Sequence, residues 1–113
     1  MGRMFSPPVP SVQPSEVTDD AYLLDVREAD EWAAGHVAGA HHVPIGEVIA
    51  RLDEVPRQGR VVCVCRVGAR SAQVAAYLVQ QGYDAVNLDG GMAAWAATGR
   101  PMVSDTGQPA AVI

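Results

Sequence analysis

Val61-Val62-Cys63-Val64, followed by Cys65-Arg66-Val67-Gly68-Ala69-Arg70-Ser71, is the stretch that decides how this chain reads. The first four residues are a short β-branched run of the kind that fills a strand buried on both faces of a parallel sheet. From Ser71 to Gln81, Val74, Ala75, Leu78 and Val79 recur at helical spacing, and Gly82 stands where a helix stops. Cys65 to Ser71 therefore form a strand-to-helix turn, with the Cys65 thiol exposed in it. Backbone N–H groups of such a turn can converge on the sulfur, and the new helix adds the positive end of its dipole. Both favour a thiolate.

Outward from this stretch, the same period-reading places a strand at 22–26, a short helix at 28–34 and a second strand at 40–43. A helix is expected over 45–52, a last strand over 85–88 and a last helix over 92–97, with glycines between. Alternating strands and helices imply an α/β domain with a parallel sheet covered on both faces. In such sheets ligands gather beyond the carboxyl ends of the strands, where Cys65 lies. Residues 1–9, with Pro7 and Pro8, read as an extended N-terminal tail, 10–103 as the domain, and 104–113 as a C-terminal tail without a period.

With 113 residues the chain suits one core. The net charge is −5, and every cation is Arg, with eight of them scattered along the chain, so no basic stripe for nucleic acid is present. A local nest of N–H groups and Arg can still capture an anion, because salt screens the long-range field beyond about 8 to 10 Å. No segment approaches the roughly 18 apolar residues of a membrane span. Two cysteines only two positions apart cannot staple distant parts of a fold, and a reducing cytoplasm is the expected setting.

Four segments together resemble one family. Leu23-Leu24-Asp25-Val26-Arg27-Glu28 with Glu31-Trp32, then Gly35-His36-Val37-Ala38-Gly39-Ala40 with His42 and Pro44, resemble its first two signatures. Cys65 to Ser71 resembles its catalytic loop, and Leu88-Asp89-Gly90-Gly91 with Trp95 and Gly99-Arg100-Pro101 resembles its C-terminal signature. The chain is similar, over about 12–101, to the single-domain rhodaneses, which are sulfurtransferases. That resemblance implies a central five-stranded, mostly parallel sheet flanked by helices. It also implies a double displacement through a persulfide on Cys65, with no cofactor and no metal. A small anionic sulfur donor such as thiosulfate, and a cyanide or thiol acceptor that includes sulfur-carrier proteins, would be the partners.

Residue by residue, Cys65 is the expected nucleophile, and Arg66, Val67, Gly68, Ala69, Arg70 and Ser71 form its cradle. Arg66 is placed to attract the donor at the pocket mouth. Arg70 stands near the helix start, where a cation opposes the dipole and wants an acidic partner. Asp25 is the expected one, so that the two brace the loop. Arg27 is expected to be structural, paired with Glu28 or Glu31, and Ser71 either to cap the helix or to donate its hydroxyl to the persulfide, one geometry serving both.

Rival chemistries read less well. A phosphate-cleaving cysteine loop carries Arg six positions after Cys, where its fork grips equatorial oxygens. Here the sixth position is Ser71 and Arg70 is the fifth, so the loop is shorter and suits a single sulfur atom. A dithiol pair of Cys63 and Cys65 is possible on a strand whose alternate residues share a face, but Cys63 sits inside the apolar run as a small hydrophobe would. His41 and His42 point to opposite faces and cannot share a metal ion with the cysteines. A regulatory or redox-sensing module of the same fold, without turnover, is the remaining alternative.

Overall fold

The computed structural model describes residues 9–113; the tail expected at 1–9 lies, but for Val9, outside the described residues. Strands β1 (Ser11–Val12), β2 (Tyr22–Asp25), β3 (His41–His42), β4 (Arg60–Val64) and β5 (Asp84–Leu88) form one sheet. Its order is β1-β5-β4-β2-β3, and every pair is parallel. Helices α1 (Ala29–Ala34), α2 (Ala69–Gln80) and α3 (Gly91–Ala97) complete it.

Strand alternation sends successive side chains to opposite faces and so builds two apolar layers. Leu24, Val26, Val61, Cys63, Cys65 and Ala85 pack with Val74, Ala75 and Leu78 of α2. Leu23, Val62, Val64, Val86 and Leu88 pack on the other face with Met92 and Trp95 of α3. β4 is buried throughout from Val61 to Val64, as its unbroken apolar run requires.

The order of the strands locates the crevice. From β2 the chain passes through α1 outward to β3, and from β4 it passes through α2 the opposite way to β5. The connections diverge between β2 and β4, so the carboxyl ends of these two strands open onto a cleft that no crossover covers.

Two elements differ from their expected form. The helix anticipated over 45–52 is a pair of 3₁₀ turns, Ile45–Glu47 and Leu52–Glu54. Gly46 weakens a helix there, and Val48 is buried while Ile49 is 72 % exposed, so no apolar stripe holds a longer one. The segment 104–113 has no regular structure, yet it lies along α1. Asp105 and Ala111 donate N–H groups to Ala33 and Ala34, each at 2.8–2.9 Å, and Val112 packs against the α3 layer. Among the described residues no helix is long and apolar enough to cross a membrane.

Candidate active site

Cys65 follows the last residue of β4, and Gly68, three positions on, caps α2. Gly68 has φ 108°, in the left-handed region that a side chain resists, and this turns the chain sharply from strand to helix. The sharp turn brings the Gly68 N–H to 3.1 Å from Cys65 Sγ and the Ser71 hydroxyl to 3.2 Å.

The other face of the loop is fixed by α3. Met92 and Ala93, at the free N–H end of that helix, donate to the carbonyls of Cys65 and Arg66 at 2.8 and 2.9 Å. In a trans peptide the N–H points opposite to the C=O, so holding the Arg66 carbonyl on α3 turns the Val67 N–H away from α3, toward the sulfur. Gly91 makes this approach possible: a Cβ there would lie 2.4 Å from the Cys65 carbonyl oxygen. Gly91 therefore packs directly on the loop.

Burial alone would push the Cys65 thiol up. The Ser71 hydroxyl and the N–H groups of Ser71, Gly68 and Val67 outweigh that cost, and the net effect lowers its pKa. Cys65 is not exposed as expected. It is 1 % accessible, at the floor of a loop whose Arg66, Val67 and Ala69 face solvent. Its neighbour Cys63 is fully buried on the same face, and desolvation pushes that thiol up to about 12. Both cysteines are free.

The expected Arg70–Asp25 brace is replaced by two separate pairs. Arg70 grips Glu31 of α1 with both guanidinium nitrogens at 2.8 Å, and this contact holds the Glu31 carboxyl at about 2. Glu31 also accepts the Glu28 N–H at 2.9 Å, tying the start of α1 to the start of α2 across the cleft. Asp25 instead pairs with Arg27, which is wholly buried and donates to both Asp25 oxygens at 2.8–3.2 Å. Arg27 also reaches the carbonyls of Glu31 and Gly35, so its contact with Glu31 is to the backbone, not the carboxylate. Asp25 cannot serve both arginines, because Arg27 already occupies its two oxygens.

Ser71 is likewise not the cap; it is the third residue of α2, with its side chain turned back onto the sulfur. Arg66 is exposed beside the loop, and its Nε donates to the backbone oxygen of Ile113 at 3.0 Å. The histidines stand apart from the thiols. Trp32 is stacked between His36 and His42, with ring centroids 3.6 and 4.7 Å away, and those two rings hydrogen-bond the carbonyls of Trp32 and Arg27. Among the described residues no three His, Cys, Asp or Glu side chains gather as a metal ion would need.

Two roles in the site are not legible in the sequence. Glu31 reads there as a signature residue and a partner for Arg27, not for Arg70. Asn87 of β5 is buried against the loop, where it contacts both Ser71 and Gly68. Its signal was a lone polar residue in the apolar run 85–88.

Known proteins resemble this chain in sequence and in fold. A family model described as the rhodanese-like domain matches residues 13–98. A protein named Sulfurtransferase from Allochromatium vinosum is 45 % identical over 91 residues, covering 80 % of this chain and 85 % of that one. Putative sulfurtransferase YtwF of Bacillus subtilis is 37 % identical over 86 residues, covering 76 % and 84 %. The crystal structure of a rhodanese-related protein from Thermoplasma volcanium superposes with a TM-score of 0.79 at 29 % identity, covering 83 % of this chain and 97 % of that one. With its loop at the end of the central strand and its relatives named for sulfur transfer, the chain belongs to the rhodanese-like domain family.

Proposed function

We propose that this protein is a sulfurtransferase that carries a sulfane sulfur as a persulfide on Cys65. The observation that carries the reading is the convergence of the Gly68 N–H and the Ser71 hydroxyl on Cys65 Sγ, at 3.1 and 3.2 Å. No general base is needed where hydrogen-bond donors already favour the thiolate.

With thiosulfate as donor, the Cys65 thiolate attacks the outer sulfur. The new S–S bond forms as the old one breaks, and sulfite leaves with the electron pair. The negative charge moves to the terminal sulfur of the persulfide, which the inward N–H groups of the loop can hold as an anion nest. A thiophilic acceptor, cyanide or a thiol, then attacks that terminal sulfur and returns Cys65 as thiolate. Sulfur moves as a neutral atom in both halves, so neither cofactor nor metal enters the scheme.

Arg66 supplies positive charge at the mouth and draws the donor in against the net charge of −5. Arg70 is committed to Glu31 and braces the loop. Asp25 and Arg27 fix the end of β2 beneath it. The exposed loop, on a domain with no second domain to lid it among the described residues, suits a protein thiol such as that of a sulfur carrier. Two free cysteines suit a reducing cytoplasm.

Thiocyanate release from thiosulfate and cyanide tests the scheme. The wild type is expected to turn over with ping-pong kinetics, and Cys65→Ser to give none. Undiminished turnover in Cys65→Ser, or none in the wild type with any sulfane donor, would refute it.

A further inference from the structure

Asn87 lies on β5 between Val86 and Leu88, which pack toward α3, and its own side chain is buried on the opposite, α2 side of the sheet. Its amide spans the loop: Nδ2 donates to the Gly68 carbonyl at 3.0 Å, and Oδ1 accepts the Ser71 hydroxyl at 2.6 Å. The Gly68 carbonyl can only accept, so the amide NH₂ must face it, and Oδ1 must face Ser71. Chemistry thus fixes the direction of the amide. The Ser71 hydroxyl, however, has one proton and two acceptors within reach, Asn87 Oδ1 at 2.6 Å and Cys65 Sγ at 3.2 Å.

We propose that Asn87 is a positioning residue that directs the Ser71 hydroxyl, taking its proton when the Cys65 sulfur is uncharged and yielding it when Cys65 is a thiolate. This rests on the Cys65 chemistry proposed above. In the thiol, S–H donates to Ser71 Oγ, and Ser71 donates to Asn87, leaving every group paired. In the thiolate the hydroxyl rotates to the sulfur, and Oδ1 gives up its donor. In the persulfide Sγ is a neutral divalent sulfur and the charge sits on the terminal atom, so the hydroxyl swings back to Asn87. Ionisation of the thiol gives its proton to solvent, and between thiolate and persulfide no proton moves. In the first half-reaction one S–S bond is exchanged for another, and in the second the persulfide S–S bond breaks as the acceptor bonds the terminal sulfur. By competing for the hydroxyl, Asn87 keeps Cys65 from becoming too weak a nucleophile, since nucleophilicity falls as thiol pKa falls. Among the described residues, the titratable groups acting on Cys65 are Arg70 of α2 and Cys63 of β4, and both stay in place in every variant below.

The test is the pH profile of Cys65 alkylation by iodoacetamide, with the label located by peptide mass. Asn87→Leu is compared in the wild type and in Ser71→Ala. With Ser71 present, removing the competing acceptor is expected to bring the Cys65 pKa lower, by about half to one unit, than the same substitution does without Ser71. Equal shifts in the two backgrounds would mean that Asn87 only supports Gly68, and would overturn the proposal. If Asn87→Leu does not fold, Asn87→Asp makes the same comparison with the opposite sign: its carboxylate holds the hydroxyl, and the upward shift must be larger with Ser71 than without. Alkylation reads the thiolate alone, so failure here leaves thiocyanate turnover, and the sulfur-transfer reading, to stand or fall separately.

Discussion

Cys63 and Cys65 are the same residue type, two positions apart, on the same face of the sheet and both almost wholly buried. Desolvation pushes the first up to about 12, whereas the second is lowered. The difference lies in the backbone. Cys63 is inside β4, where neighbouring strands consume the N–H groups, and Cys65 is one step beyond it, where the turn at Gly68 and the grip of α3 on the Cys65 and Arg66 carbonyls aim N–H groups at the sulfur. Activation here is a property of where the strand stops.

The firmest way to break this comparison is to dislodge the loop. In Gly91→Ala the new Cβ collides with the Cys65 carbonyl, and the residue must also hold φ 58°. A stability loss of about 2–4 kcal/mol in urea unfolding is expected. The Cys65 pKa is expected to rise with it, toward the behaviour of Cys63. A lowered pKa surviving in this variant would show that the α3 contact does not orient the loop. Next in size, Ser71→Ala removes a single donor from the thiolate, and we expect the Cys65 pKa to rise by about one unit on alkylation profiles. Stability should fall by about 1–3 kcal/mol, because Asn87 Oδ1 is left buried without its donor.

The two thiols also differ in how they couple to pH. A folded pKa of about 12 against an ordinary 9.0 means that buried Cys63 stabilises the fold fully below pH 9.0, and that this contribution is lost as pH rises toward 12. Thermal melts across that window should fall more steeply for the wild type than for Cys63→Ala, which itself costs about 1–2 kcal/mol at neutral pH. Parallel curves would contradict the burial of Cys63 as thiol. The smallest effect is expected from Glu31→Gln. The Glu31 carboxyl is depressed to about 2 from 4.5, so its pairing with Arg70 stabilises above pH 4.5 and is lost as pH falls toward 2. At neutral pH the partly exposed pair is worth about 1 kcal/mol. The Cys65 pKa should move less than in Ser71→Ala, because Glu31 acts on the sulfur only through Arg70.

β4, the loop and α2 could be read from the sequence because each rests on local chemistry: a β-branched run, a glycine, and apolar residues at helical spacing. Pairings across the cleft could not. Glu31 and Asp25 are both acidic residues near the end of β2, and only the folded path of α1 decides that Glu31 meets Arg70 while Asp25 meets Arg27. Of the two roles the sequence offers Ser71, the cap passes to Gly68 because α2 starts two residues early, a shift within the usual uncertainty of helix ends, while its hydroxyl faces the sulfur. Asn87 looked like an ordinary polar interruption, and β1, with two residues, is too short to show any period. What the sequence carries, then, is the Cys65 thiol and its turn; what it conceals is the set of distant side chains that hold the turn in shape.

The central claim is that the backbone turn makes Cys65, and not its neighbour, the sulfur carrier. Treating the protein with thiosulfate and locating added mass by peptide analysis tests it most directly. The account predicts one extra sulfur atom on Cys65, removed by cyanide, with Cys63 unmodified throughout. Sulfur found on Cys63, or an equal gain in Cys65→Ser, would contradict it.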